Sequence, residues 1–375
     1  MIYFDNAATT RASETTVKKV SEYLREKFYN PSSLYHEGIE AKRDLDRARA
    51  IILDKLRGDG KVIFTGGGTE SDNIALFGTK KHKNGRIIIG GAEHAAVYAS
   101  ATELKQRGFD VVFAPVRSDG SVDPERFAEL VTPEVTLASV MHVNNETGAV
   151  NDVAALAGIV KKVAPNALFH SDGVQAFGKM KLNLRSAPID LYSMSAHKLG
   201  APKGIGALYI RSKVGVSPIV YGGGQEGGLR SSTENTAGIA AFAEAVTERY
   251  ADLDDTRAAV GEIRAYIARV LAEIEEIEIL SPENGSPYIL TFTSRKVRGE
   301  VMQHALEREG ILVGTGSACS SNKASERIPD ALGLKGKYRD GIVRLSFFKD
   351  NTLDEAAEFA EKYIKTYKEL SKYGS

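Results

Sequence analysis

Apolar residues along the first half of the chain come in short runs separated by longer stretches with helical spacing. Val62–Thr65, Arg86–Ile89, Val111–Val116, Val135–Val143, Ala167–His170 and Ile189–Tyr192 read as buried strands. Between them, helices are predicted from Thr69, over His94–Arg107, over Pro124–Val131 and over Val153–Val163. Upstream, Ser13 is placed as the N-cap of a helix running towards Phe28, Asn30-Pro31 ends it, and Ile39–Leu56 forms the next. Strand–helix alternation of this kind predicts an α/β architecture with a mostly parallel sheet and helices on both faces.

The pattern changes after a strand at Gly204–Ile210. Tyr221-Gly222-Gly223-Gly224-Gln225-Glu226-Gly227-Gly228 reads as a flexible loop, and Ser232 or Thr233 is expected to cap a long helix. A further helix, from about Asp254 to Ile274, opens a smaller α+β domain. Its strands lie near Glu278–Leu280, at Tyr288–Thr293, Ile311–Val313 and Ile342–Ser346, and its helices at Glu300–Glu309 and Leu353–Leu370. The expected division is a large domain of residues 13–253 and a small one of residues 1–12 with 254–375.

At 375 residues the chain is too long for one simple core, and 42% hydrophobic with 26% charged residues fits a globular protein. Lys and Arg balance Asp and Glu at 49 each, so no nonspecific nucleic-acid binding is expected. The first residues lack the charged and apolar regions of a signal peptide, and no apolar run reaches membrane-spanning length. The expected location is the cytoplasm. With Cys319 as the single cysteine, no intrachain disulfide can form.

Polar residues recur where the predicted strands end, the place where such sheets bind ligands. Gly66-Gly67-Gly68 followed by Thr69 joins a strand to a helix start, a backbone arrangement suited to an anion. No lysine follows at the spacing of a nucleotide-triphosphate loop. His94, Asn145, Asp172, Gln175, Ser195, His197 and Lys198 complete the set, and no metal-ligand set is assigned. Ser193-Met194-Ser195-Ala196-His197-Lys198 puts hydroxyls, an imidazole and a lysine where a strand opens into a loop. That suits a lysine held in a Schiff base beside a phosphate, as in enzymes using pyridoxal 5'-phosphate (PLP). Asn30 reads either as turn chemistry or as a substrate contact.

These residues resemble the group I cysteine desulfurases (NifS/IscS-like) of the class V aminotransferase superfamily. The resemblance is carried by Thr69-Glu70-Ser71-Asp72-Asn73, Glu93-His94, Met141-His142-Val143-Asn144-Asn145-Glu146, Asp172 with Gln175, Ser195-Ala196-His197-Lys198 and Gly316-Ser317-Ala318-Cys319. It implies a PLP-dependent transferase of fold type I. Lys198 would then hold PLP and shuttle the substrate's α-proton, Asp172 would pair with the pyridinium nitrogen, and His94 would stack on the ring and take part in proton transfer. Gln175 and Asn145 would contact the phenolic oxygen region. Gly68, Thr69, Ser195 and His197 would hold the phosphate, with Thr233 arriving from a second protomer of a homodimer. Asn30 and Arg344 would grip the carboxylate of L-cysteine, and Cys319 would take its sulfur as a persulfide, releasing L-alanine. The sulfur would pass to an acceptor protein such as an iron–sulfur scaffold or a tRNA-thiolation enzyme. The chain departs from the family at Gly66-Gly67-Gly68, where Ser-Gly-Ala is usual, and at Leu345-Ser346-Phe347-Phe348-Lys349, where Phe-Ser-Leu-Gly-Arg is common. Three alternatives stand beside it: a selenocysteine lyase would share almost every residue, a class V aminotransferase would need no cysteine nucleophile, and a non-catalytic sulfur-delivery subunit, ranked last, would be expected to lack Lys198 or Cys319, both of which are present.

Overall fold

The structure, a computed structural model, describes residues 1–80, 85–315 and 327–372. Cys319 lies outside the described residues. In chain order the strands begin with β1 (Ile2–Phe4), β2 (Lys61–Thr65), β3 (Arg86–Gly90), β4 (Asp110–Ala114), β5 (Val135–Ser139) and β6 (Leu168–Asp172). They continue with β7 (Leu191–Ser195), β8 (Gly206–Ile210), β9 (Ile277–Ile279), β10 (Ile289–Ser294), β11 (Ile311–Val313) and β12 (Val343–Ser346). The helices are α1 (Glu14–Arg25), α2 (His36–Leu56), α3 (Gly68–Gly78), α4 (Ala95–Gln106), α5 (Pro124–Leu130) and α6 (Val153–Val163). After them come α7 (Thr236–Ala251), α8 (Leu253–Ala272), α9 (Gly299–Arg308), α10 (Arg327–Ala331), α11 (Lys337–Asp340) and α12 (Leu353–Leu370).

A seven-stranded sheet in the order β2-β8-β7-β6-β5-β3-β4 forms the centre. Its strands run parallel except β8, which is antiparallel to both β2 and β7. Alternate residues of each strand face opposite sides, and here both sides are apolar. Val62, Phe64, Ile88, Ala138, Phe169, Tyr192, Met194 and Tyr209 pack with α2, α5, α6 and α7. Ile63, Ile87, Ile89, Leu137, Leu191, Leu208 and Ile210 pack with α3 and α4 on the other side.

A separate apolar core joins α8, α9 and α12 to an antiparallel sheet, β12-β10-β9, and to the parallel pair β1-β11. Ile2 and Phe4 belong to this second core, so the first residues of the chain are sewn to its last third.

Two expectations are corrected. Neither Ser232 nor Thr233 caps α7: the Asn235 side chain accepts the Gly238 N–H at 2.9 Å, so the helix starts later. The glycine-rich run is pinned rather than free. Glu226, buried and in the left-handed region at φ 52°, receives Arg49 Nη2 at 2.7 Å and the Phe64 N–H at 2.9 Å. That pairing anchors the loop to the start of the central sheet.

Candidate active site

The carboxyl ends of β2, β5, β6 and β7 open on one cavity of about 380 Å³, within the size range of small-ligand sites. Its lining includes Gly68, Thr69, Asp72, His94, Asn145, Asp172, Gln175, Ser195, His197, Lys198 and Arg344. Nine of the sequence-derived cofactor residues thus meet in one place. Asn30 and Thr233 do not. Asn30 is exposed, its side chain accepting the Ser32 N–H at 2.9 Å in a local turn, and Thr233 is exposed beside the pinned loop.

Gly68 is the first residue of α3, where N–H groups have no acceptor within the helix. A Cβ there would lie 2.7 Å from Val174 Cγ2, so only glycine lets this turn sit so close to the β6–β7 end of the site. Ser195 and His197 line the same cavity. Burial, helped by Lys198, Lys203 and Lys179, pushes His197 down to about 4, leaving a neutral ring whose Nδ1 is 3.1 Å from the Thr9 hydroxyl.

Lys198 donates to the carbonyls of Ala7 and Ala8, each at 2.6 Å. Burial, then the Arg344 charge, lowers it to about 8, with Asp5 and Asp172 opposing. A lysine so tuned reaches its nucleophilic form near neutral pH. Asp172 ends β6, accepts the Val174 N–H at 2.9 Å, and is raised by burial against the opposing pull of His94, the Val174 N–H and Lys198. His94 caps α4, its Nδ1 accepting the Ala96 N–H at 3.2 Å.

Asp72, quoted in the sequence motif without a role, faces the cavity from the first turns of α3. Atoms of Asp72, His94 and Asp172 approach within 4.8 Å of one another. Asp72 Oδ1 is buried without a hydrogen bond, and burial with the neighbouring Asp172 charge raises the group well above the usual carboxylate range. Behind it, His170 lies 3.6 Å away and joins Ser139 at 2.8 Å and Ser193 at 3.0 Å. His170 is pushed by burial to about 3 and is a neutral part of that layer.

Arg344 enters from β12. It pairs with Asp5 at 2.9 Å, donates to the Asn145 carbonyl at 3.0 Å, and keeps a buried Nε without a partner. Asp5 and the Ala7 and Ala8 carbonyls were missed as site groups, because only the pairing of β1 with distant β11 brings that segment here.

The residues fit PLP. A helix start with a glycine-only approach suits its phosphate, a buried carboxylate suits its ring nitrogen, and a lysine near neutrality suits its aldehyde.

The sequence profile described as aminotransferase class-V matches residues 2–359. A NifS/IcsS protein homolog of Lactobacillus delbrueckii subsp. bulgaricus is 38% identical, covering 99% of this chain and 98% of the relative. A cysteine desulfurase IscS of Clostridium botulinum is 34% identical over 99% of this chain and 96% of its own. A solved NifS-like protein superposes with a TM-score of 0.90 at 33% identity, covering 98% of this chain and 100% of that one.

Proposed function

The chain belongs to the class V aminotransferases, among the NifS/IscS cysteine desulfurases, and from that premise we propose how its residues divide the work. It is a PLP-dependent enzyme that removes sulfur from L-cysteine. Bound PLP supplies an electron sink for breaking the substrate's Cα–H bond. Lys198 holds the cofactor and its Nζ moves the Cα proton; Asp172 holds the proton on the ring nitrogen; His94, Asn145 and Gln175 position the ring; Gly68, Thr69, Ser195 and His197 take the phosphate. Arg344 receives the substrate carboxylate, exchanging its Asp5 partner for it; Asn30, outside the cavity with its Oδ1 on the Ser32 N–H, would have to leave that turn to share the carboxylate. The Cys319 thiolate attacks the substrate sulfur, an S–S bond forms as the C–S bond breaks, and protonation of the carbon yields L-alanine.

The observation that carries this reading is the convergence of Lys198, Asp172, His94 and the α3 start on one cavity. Residues 13–253 act as the cofactor-binding unit and residues 1–12 with 254–375 as the unit bearing Arg344 and Cys319, a division supported by the separate apolar core. The working form is a cytoplasmic homodimer that hands its sulfur to an iron–sulfur scaffold or a tRNA-thiolation enzyme. Support for the dimer comes from apolar side chains left exposed near the pinned loop, Leu34 at 92%, Tyr35 at 52% and Tyr221 at 81%. Among the described residues no helix is long and apolar enough to cross a membrane. The test is alanine and persulfide formation from L-cysteine by the PLP-loaded protein. Lys198→Ala should abolish both, and release of alanine by that variant at the normal rate would refute the assignment.

A further inference from the structure

Lys179 is the only lysine buried this deeply among the described residues, 3% exposed, and no role above uses it. It lies one turn after Gln175 in the segment leaving β6, and its Nζ donates to Gln175 Oε1 at 2.8 Å. The other end of the same amide, Nε2, donates to the Ala7 carbonyl at 2.9 Å, and that carbonyl also receives Lys198 Nζ at 2.6 Å. One hydrogen-bonded line therefore runs Lys179–Gln175–Ala7–Lys198, and three of its four members border the cavity.

We propose that Lys179 is a positioning residue: by occupying Gln175 Oε1 it fixes which end of that amide, the donor, is turned towards the cavity and the Lys198 anchor. Without Lys179 only the Ala7 carbonyl is left to set the sense of the amide. Flipped, it would set an oxygen against the Ala7 oxygen, repelling the carbonyl on which Lys198 rests, and would offer the PLP phenolic oxygen an acceptor instead of an N–H.

The surroundings of Lys179 agree with this role: among the described residues Gln175 Oε1 is the hydrogen-bond acceptor for its Nζ. The charged groups acting on it are Lys198, Arg249 and Arg344, and Tyr288 turns its ring to it at 5.6 Å. Burial, then those three cations, lowers Lys179 to about 7. Its neutral amine still donates, so the amide is held on either side of neutrality, whereas a carboxylate partner would have bound the ammonium away from Gln175.

The inference rests on Lys198 as the PLP-binding lysine. The experiment measures, for each variant, the affinity of apoprotein for PLP and the pH midpoint of the bound cofactor's visible band. Lys179→Met should weaken PLP binding about tenfold, the scale of one charged hydrogen bond, and shift the midpoint upward by loss of a nearby cation. Lys179→Gln, which keeps a donor, should bind PLP within about threefold of wild type. In a Gln175→Ala background Lys179→Met should weaken binding no further, because its route to the cavity is gone. Binding and midpoint unchanged in Lys179→Met, or the same loss in both backgrounds, would overturn the proposal. Should Lys179→Met fail to fold, Lys179→Ala completes the same cycle, and equal loss with and without Gln175 again overturns it. Lys198→Ala separates the two readings: if it keeps the wild-type visible band, the Lys198 assignment fails. If it loses the band while Lys179 variants match wild type, only the Lys179 role fails.

Discussion

Asp172 and Asp72 are both buried and lie close together at the cavity, so two charges there would repel. Burial and the neighbouring Asp172 charge raise Asp72, whereas His94, the Val174 N–H and Lys198 oppose the rise that burial gives Asp172, so a charge on this pair is better supported on Asp172. Asp172→Asn should therefore cost about 1.5–3 kcal/mol of PLP affinity, while Asp72→Asn should cost much less. PLP titration of the two apoproteins decides this, and equal losses would show that Asp72 is charged too. Burial holds His142 at about 4 and His170 at about 3 in the folded state, below the ordinary 6.5. The unfolded chain then binds more protons between those values and 6.5, so stability falls as pH drops through that window and is unaffected by these groups above it. A melting series from pH 4 to 8 should show the slope, and His170→Gln should flatten it, each unit of depression being worth about 1.4 kcal/mol. Cys319→Ser should keep the PLP visible band and still lose persulfide and nearly all alanine, since a hydroxyl at neutral pH is a poor acceptor for sulfur.

At the level of elements, the site depends on how closely α3 meets β8. A Cβ on Gly206 would stand 2.6 Å from the Gly67 carbonyl carbon and 2.7 Å from the Met194 oxygen, both backbone. Neither can swing aside, so Gly206→Ala should push the α3 start away from Ser195. It should cost about 1–3 kcal/mol of stability, read as a drop in melting temperature with weaker PLP binding. Local sequence made some elements legible to the residue. Val153–Val163 and Leu353–Leu370 matched their predicted bounds, because Asp152 and the Thr352–Glu355 capping box mark the starts. It failed where the deciding partner is distant. β1 has three residues and no periodicity to reveal it, and it forms only against β11. β5, expected to run to Val143, leaves the regular ladder after Ser139, and the Glu93 carboxylate takes the Met141 N–H at 2.6 Å. The cavity residues at strand ends were legible because topology puts such ends together. Asp72 and Lys179 were not, since a charged residue is ordinarily read as solvent-facing and only the fold buries it.

On the scale of the whole molecule, a site shared between two protomers has a genetic signature. Mixed dimers of a Lys198→Ala chain with a Thr233→Ala chain place both lesions in one site and leave the other whole. Such mixtures should recover up to about half of the activity per dimer of wild type if Thr233 serves its partner, as dimers with two composite sites require. Recovery no better than the parent homodimers would place Thr233 in its own chain's site or in none.

The segment Asp5–Ala8 bears on when, as well as where, the enzyme becomes complete. It supplies the carbonyls under Lys198, yet it is held by the far end of the chain: the Ala7 N–H reaches Ser346 Oγ at 2.7 Å, and Asn6 Nδ2 reaches the Ser346 carbonyl at 3.0 Å across 340 residues. The ribosome makes those first residues before everything that fastens them, and at ordinary elongation rates roughly 20–70 s separates the two. A nascent chain can therefore build the central sheet but not the finished cofactor seat. Ser346→Ala, which removes the Oγ that takes the Ala7 N–H, is accordingly expected to weaken PLP binding although it lies outside the cavity lining.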